Sequence, residues 1–332
     1  MKLSVVILCW NDLKVIGDCL QSIYEGTRST DFEVIVSDNG STDGSVEFIR
    51  ERFPQVRLIE NGRNLRFAKG NNVAIQASAG EYILILNPDT VINEGALDQI
   101  VDYADKHPEA GAIGCRVVNI DGSYQEHVRP LPTIRSEWMA ALHLGALARF
   151  SDWFNPGIYV GWTGEGERTV GWLAGCFILV RGDLLKRLGG FDEQFFYYYE
   201  DTELCRRIWQ AGYSVLYTPD IRIIHLKGYS TKKRFPLGFA LDKYVTCYRY
   251  FYKCHGRRGA RRCRQATLAW LLSRRLGLGL IQLLQPNKER KLRLELYKVA
   301  MGWNWRVDPV RLVENGEEPE LAVPPTGRVL ER

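Results

Sequence analysis

Tyr82-Ile83-Leu84-Ile85-Leu86-Asn87-Pro88-Asp89-Thr90 is the stretch that decides the fold. Its five apolar residues, with Gly80 ahead and Asn-Pro behind, predict a strand buried on both faces, of the kind found in the middle of a parallel sheet. Pro88 has no N–H to give a ladder and pushes Asn87 into extended geometry, so the strand stops there. Asp89 is then delivered just past the strand's carboxyl end, the edge at which open α/β sheets bind ligands.

Working outward, residues 3–9 predict a first buried strand closed by Trp10-Asn11-Asp12. Leu13, Ile16, Leu20 and Ile23 then recur at three- and four-residue steps, one face of a helix. A second strand over 32–37 ends in the turn-rich loop Asp38-Asn39-Gly40-Ser41-Thr42-Asp43-Gly44, and a third covers 56–59. A polar loop over 61–69 leads into a helix over 70–79. Strands and helices alternating at this spacing predict an α/β fold, a doubly wound, mostly parallel sheet flanked by helices. Neither GxGxxG after the first strand nor GxxxxGK[ST] occurs, which disfavours a dinucleotide-binding dehydrogenase and a P-loop NTPase.

Beyond Asp89 the pattern gives a helix over 94–106, a strand over 110–118 and an irregular, proline-bearing excursion over 119–168. Short strands follow over 170–173 and 176–180, then a helix ending at Gly189-Gly190 and an aromatic run over 191–199. Glu200-Asp201-Thr202-Glu203 opens another helix, and strands over 214–217 and 221–224 end in His225. These signals place a catalytic domain over 1–230, a basic amphipathic helical region over 231–306 and a flexible tail over 307–332.

Hydrophobic residues at 45% and charged ones at 25% describe a globular chain and exclude a disordered one. The net charge of +5 conceals an asymmetry, because residues 227–306 carry 20 Lys and Arg against Asp242, Glu289 and Glu295. Arginines at 257, 258, 261, 262, 264, 274 and 275 interleave with Leu268, Trp270, Leu271, Leu272, Leu276 and Leu278. That mixture predicts helices resting on an anionic membrane surface, with a solvated bundle or nucleic-acid binding as the alternatives; no nucleic acid is expected. The eight cysteines form no CxxC pair and sit in apolar runs, as expected of reduced thiols. With no charged-then-apolar leader and no apolar run of spanning length, the expectation is a cytoplasmic protein, peripheral on the inner face of the cell membrane.

Three carboxylate-bearing element ends, Asp38, Asp89 and Glu200/Asp201, fall on the same edge of a parallel sheet. A cation bridging two phosphates needs only one or two hard protein ligands, so Asp89 suits that task; the competing reading has it cap the next helix. A strand-end carboxylate at Asp38 can accept the imide N–H of a pyrimidine base, or can close an Asx-turn in its own loop.

In order along the chain, Trp10-Asn11, Ser37 to Ser45, Asn64 with Phe67-Ala68-Lys69-Gly70-Asn71-Asn72, Asn87-Pro88-Asp89, Trp172-Leu173-Ala174-Gly175-Cys176, Gly189-Gly190-Phe191-Asp192-Glu193 and Ile224-His225 together resemble the family-2 glycosyltransferases of GT-A fold. The likeness is to their bacterial rhamnosyltransferase-like branch and covers roughly the first 230 residues. It implies an inverting transfer of a sugar from a dTDP-, UDP- or GDP-linked donor to a glycan or lipid-linked acceptor, with Mg2+ or Mn2+ as cofactor. Asn11, Asp38, Asn64, Lys69, Asn72, Asn87 and Asp89 are implied on the nucleotide side, Asp89 and His225 at the metal, and Trp172, Gly175 and Tyr199 by the acceptor. Asn87 stands where the family has the first Asp of Asp-x-Asp, and Arg66 where it has Gly. Asp201 is implied as the general base with Glu200 as its rival. The competing classes are a sugar-nucleotide pyrophosphorylase, which should carry a basic glycine-rich loop after the first strand, and a non-catalytic glycan- or membrane-binding scaffold.

Overall fold

The computed structural model describes residues 1–195, 198–226 and 238–316. The chain forms two compact units, one of residues 1–131, 161–196 and 200–233, the other of residues 132–160, 197–199 and 234–332.

In chain order the elements begin β1 (Leu3–Cys9), α1 (Leu13–Gly26), β2 (Phe32–Asp38), α2 (Ser45–Arg52), β3 (Arg57–Glu60), α3 (Arg66–Ala77), β4 (Tyr82–Leu86) and β5 (Thr90–Ile92). They continue with α4 (Ala96–Lys106), β6 (Ala110–Val118), β7 (Val128–Arg129), α5 (Ile134–Ala141), β8 (Arg168–Thr169), β9 (Trp172–Leu173), β10 (Phe177–Arg181) and α6 (Gly182–Arg187). Last come α7 (Glu200–Gln210), β11 (Ser214–His225), α8 (Gly238–Leu284), α9 (Lys288–Arg306) and α10 (Pro309–Glu314).

The first unit is built on a nine-stranded sheet of order β3-β2-β1-β4-β10-β6-β11-β5, with β8 paired to β11. All five residues of β4 are buried, as a doubly covered interior strand requires. Its neighbour β1 runs parallel, with Leu3 opposite Tyr82 and Ile7 opposite Leu86. The other neighbour, β10, runs antiparallel, with Phe177 opposite Leu86 and Arg181 opposite Tyr82. The turn 174–176 lies at the carboxyl end of β4, so a strand leaving that turn can only run back along it.

Three boundaries differ from the sequence pattern. The helix expected from Gly70 starts at Arg66, because Asn64 Oδ1 accepts the Arg66 N–H at 2.8 Å and satisfies one of its otherwise orphaned first-turn donors. The strands expected over 214–217 and 221–224 are one strand, β11, whose register slips between Thr218 and Arg222, around Pro219. Asp89 leads into β5 rather than a helix, and β5 pairs antiparallel with the end of β11, His225 opposite Thr90.

The second unit is helical. Helix α8 is interrupted at His255 and Gly256, both non-helical, so it is two helices end to end, and α5, α9 and α10 pack on it. The excursion residues 132–160 therefore belong to this unit. Leu271 is fully buried and Trp270 sets its ring edge-on to Tyr297 at 5.9 Å, so part of the stretch read from sequence as lipid-facing is interior. Residues 307–316 are likewise structured: α10 buries Val310 and Leu312, and Glu314 pairs with Arg257 at 2.8 Å. The remainder of the expected tail lies outside the described residues. Among those described, no helix is long and apolar enough to cross a membrane, and seven of the eight free cysteines are buried.

Candidate active site

The β5–β11 ladder brings Asp89 and His225 together. With His225 in register with Thr90, the Leu226 N–H donates to the Asp89 carbonyl at 2.8 Å, and Asp89 Oδ1 lies 3.2 Å from His225 Nε2. Both side chains are largely buried, and Asp89 Oδ1 has no hydrogen-bond partner. His225 Nδ1 faces Gln125 Oε1 at 2.7 Å. An amide oxygen only accepts, so Nδ1 carries a proton, and in the Nδ1–H tautomer the ring turns a lone pair on Nε2 toward the carboxylate. Asn87 Nδ2 stands 3.5 Å from the same nitrogen. Two acceptors facing each other in a buried place repel unless a cation stands with them, and carboxylate oxygen plus imidazole nitrogen is a donor set that suits Mg2+ or Mn2+. Among the described residues no cluster of three or more His, Cys, Asp or Glu forms a complete metal cage. A cation shared with phosphates and water does not need one.

Asp201 opens α7 beside the turn that precedes β10. Its Oδ2 accepts the Gly175 N–H at 3.1 Å and its Oδ1 accepts the Thr202 N–H at 2.6 Å. One residue on, the Cys176 carbonyl accepts the Asn87 N–H at 3.2 Å, so this single turn holds both the Asp201 carboxylate and the end of β4. Burial pushes the Cys176 thiol up to about 12, and the charges of Asp89 and Asp201 push the same way. Burial also raises the Asp201 carboxyl above the ordinary range, against the Thr202 and Gly175 amides that favour its charged form. Burial, and then the charge of Asp201, hold Glu200 well above the ordinary carboxyl range, and Glu200 Oε2 is buried without a partner. Glu203 is engaged differently, pairing with Arg207 at 2.7 Å while that guanidinium binds the carbonyls of Leu188 and Gly190.

The nucleotide-side residues fall into two groups. Asn11 holds a left-handed conformation at φ 56° and its Oδ1 accepts the Thr42 N–H at 2.7 Å, which ties the end of β1 to the loop after β2. Asp38 is buried at the end of β2, and its carboxylate accepts from the Gly40 and Ser41 amides and the Ser41 hydroxyl. This is the Asx-turn arrangement; about four acceptor sites exist on a carboxylate, and three are taken. Asp43 ties two helix starts together by accepting from Leu13 and Ser45. Asn64 is exposed and, besides Arg66, accepts from Asn39 Nδ2 at 3.3 Å. Lys69 is exposed, with Nζ 3.8 Å from Glu193. Asn72 is buried with its amide committed to the Phe191 N–H and carbonyl, both at 2.8 Å, so it brackets the turn before α7. Arg66 takes φ 69°, the left-handed region that explains why glycine suits this place and that costs a residue with a Cβ about 1–2 kcal/mol.

On the acceptor side, Trp172 is half-buried and pairs with Arg129 in a two-stranded ribbon. Gly175 has a reason to be glycine, since a Cβ there would stand 3.1 Å from the Phe67 ring. Tyr199 belongs to the helical unit, with its hydroxyl 3.4 Å from Cys247 Sγ and its ring 5.2 Å from that of Tyr250. In the rest of the aromatic run over 191–199, Phe195 is buried and Tyr198 exposed, while Phe196 and Tyr197 lie outside the described residues. Gln125 is the site residue that sequence reasoning missed.

The model of the family described as glycosyl transferase family 2 matches residues 4–164. A Mycobacterium tuberculosis protein named N-acetylglucosaminyl-diphospho-decaprenol L-rhamnosyltransferase is 34% identical over 209 residues, which is 60% of this chain and 67% of that protein. The chain belongs to glycosyltransferase family 2. This glycosyltransferase is also 26% identical over 232 residues to the rhamnosyltransferase WbbL of Escherichia coli, covering 67% of the chain and 84% of the relative. Among solved structures, the mannosyltransferase PcManGT of Pyrobaculum calidifontis, solved with GDP-Man and Mn2+, superposes with a TM-score of 0.53 at 18% identity over 91% of this chain and 87% of its own. TarS 1–349 of Staphylococcus aureus, solved with UDP-GlcNAc, gives 0.50 at 18% identity over 96% and 93%. These neighbours establish the GT-A fold of the glycosyltransferase.

Proposed function

We propose that this glycosyltransferase transfers rhamnose from dTDP-rhamnose, with inversion, to a hydroxyl of a lipid-linked or cell-surface glycan, and that it uses Mg2+ or Mn2+ to do so. The observation that carries this reading is the apposition of Asp89 Oδ1 and His225 Nε2, buried at 3.2 Å. Asp89 and His225 would hold a divalent cation, which would supply charge neutralisation to the departing nucleoside diphosphate. Asp201, oriented by the Gly175 and Thr202 amides, takes the proton of the acceptor hydroxyl. Asn87 offers its amide to a ribose hydroxyl, and Asp38 keeps an acceptor site for the imide N–H of thymine or uracil. Lys69, exposed and only loosely paired, is placed to meet phosphate. The rhamnose donor rests on two relatives that bear that name, and the lipid-linked acceptor on the name of the mycobacterial one.

A thermal-shift panel of dTDP-, UDP- and GDP-sugars with and without Mn2+ tests it, because a ligand that binds the native state raises the melting temperature. The expected result is stabilisation by dTDP-rhamnose that needs Mn2+, followed by dTDP release when a lipid-linked glycan is added. A chain that neither binds nor hydrolyses any of these donors would not be such an enzyme.

The helical unit bears on where the reaction takes place. Leu272, Leu276, Leu280 and Leu284 follow one another at four-residue steps on one face of α8, with Leu283 three residues after Leu280, and these leucines are 48–83% exposed. Arg274 and Arg275 lie within the first turn of this stripe, and Lys288, Arg290 and Lys291 follow it. An apolar stripe accompanied by basic residues matches a bilayer with anionic head groups, so we place this face on the inner surface of the cell membrane. The full chain should cosediment with phosphatidylglycerol vesicles and not with phosphatidylcholine ones, and Leu280→Glu with Leu284→Glu should release it. Equal binding of the double variant would remove the assignment, and a dimer seen by light scattering would give the face to a second copy.

A further inference from the structure

His225 is held from behind by a chain of hydrogen bonds whose direction is fixed at its far end. Between β6 and β7, Asp121-Gly122 forms a tight turn, with Gly122 at φ 78° and the Asn119 N–H bonded to the Ser123 carbonyl at 2.9 Å. The parallel register of β6 and β11 sets Val118 beside Ile224, which stands the hairpin following β6 next to His225. Gln125 is buried on this hairpin, with its N–H on the Val117 carbonyl at 2.9 Å.

The donors and acceptors can be assigned one after another. The Asp121 carboxylate only accepts, so the Ser123 hydroxyl donates to it at 2.5 Å and must accept from Asn119 Nδ2 at 2.9 Å. Asn119 Oδ1 therefore accepts from Gln125 Nε2 at 3.2 Å. That leaves Gln125 Oε1 to accept from His225 Nδ1 at 2.7 Å. Asp121 thus sets the amide orientation of Gln125, and Gln125 sets the tautomer of His225.

We propose that Gln125 is a positioning residue, backed by Asn119, Ser123 and Asp121, that keeps His225 in the Nδ1–H tautomer and aims the Nε2 lone pair at the place faced by Asp89 Oδ1. The inference rests on the reading of Asp89 and His225 as metal ligands for its use, but its core claim concerns the metal-free ring. Without Gln125 the ring gains by the opposite choice, because an Nε2–H would donate to Asp89 Oδ1 and shut the pair to a cation. A partner on the second ring nitrogen is the kind of support that typically changes metal affinity by about 10–100-fold when removed.

The test uses the full chain free of metal, at a pH where the ring is neutral, with the His225 signals in long-range 15N–1H spectra assigned by a His225→Gln variant. The wild type should show a protonated Nδ1 and a bare Nε2. Gln125→Leu should move the ring to the Nε2–H form and weaken Mn2+ binding, followed by electron paramagnetic resonance, by about 10–100-fold. Gln125→Glu, which restores an acceptor, should return the Nδ1–H form. A wild-type ring protonated on Nε2, or a Gln125→Leu ring unchanged in tautomer, overturns the proposal. The expected tautomers in a wild type that binds no Mn2+ uphold the role of Gln125 and retire the metal reading instead.

Discussion

Asp201→Asn is expected to lower kcat by about 10²–10⁴-fold, the contribution of a positioned general base. The variant should still bind the nucleotide sugar, because the amide keeps the shape of the carboxylate and one oxygen to accept from the Gly175 or the Thr202 N–H, and no nucleotide-side residue is changed. Glu200→Gln should behave in the opposite way. Glu200 is buried, with Oε2 unpartnered, and both burial and the charge of Asp201 hold its carboxyl well above the ordinary range. A group that keeps its proton does not accept one, so a neutral amide of the same shape should leave kcat within about tenfold of wild type, a barrier change of no more than about 1.4 kcal/mol. The pH profile separates the two. Because the Asp201 carboxyl is raised, the acid limb of kcat should lie above the ordinary aspartate range; Glu200→Gln, which keeps Asp201, should keep a limb. Stability carries a further sign. A carboxyl raised on folding contributes most below its unfolded value of about 4.3 and loses that contribution as pH rises, so Glu200→Gln should gain melting temperature at neutral pH and not at pH 4. Full activity in Asp201→Asn together with a dead Glu200→Gln would exchange their roles.

How far the sequence reaches depends on what each residue has to do locally. The five residues of β4 announce themselves because a strand covered on both faces is apolar along its length, the Tyr82 hydroxyl at its start being taken up by Asp105, and Pro88 ends it wherever the rest of the chain goes. The direction of β10 is not local: Phe177 to Arg181 reads the same parallel or antiparallel, and only the position of the preceding turn decides. The division of the chain into units shares that difficulty, since α5 carries a capping signature at Thr133 but nothing that says which partner it packs on. Polar side chains are ambiguous for another reason. Asn72 in a helix reads alike whether it meets a ligand or, as here, the Phe191 backbone, and Asp38 reads alike as base contact or as the anchor of its own turn. Gln125 lies in a stretch without periodicity, and its partner His225 is 100 residues away, so no local signal singles it out. The resemblance supplied Asp89 and His225 as a pair; the β5–β11 register supplies the physical reason they meet.

Asp89→Asn should have opposite effects on function and on stability. Removing a carboxylate ligand should remove Mn2+ binding and lower kcat/KM by several kcal/mol in the transition state, on the order of 10³-fold. In the metal-free protein the same change should stabilise the fold. As it stands, Asp89 Oδ1 is buried with no donor and faces His225 Nε2 at 3.2 Å, while Nδ1 is already paired with Gln125. An amide placed there can donate to Nε2, replacing two opposed acceptors by a hydrogen bond worth about 1 kcal/mol. Calorimetry without metal should therefore show a higher melting temperature for Asp89→Asn than for wild type. Adding Mn2+ at about 100 times the wild-type dissociation constant should reverse the order, because the wild type alone gains about 2.7 kcal/mol from binding. His225→Ala offers the control: it removes the opposed lone pair as well as a ligand, so it should lose Mn2+ binding without the gain that a new hydrogen bond brings. A wild type that melts above Asp89→Asn in the absence of metal would mean that Asp89 already has its proton donor, an Nε2–H of His225 carried by the other neutral tautomer or by an imidazolium. Carboxylate and ring would then already share a hydrogen bond, and the opposition of acceptors that makes them a cation site would not exist.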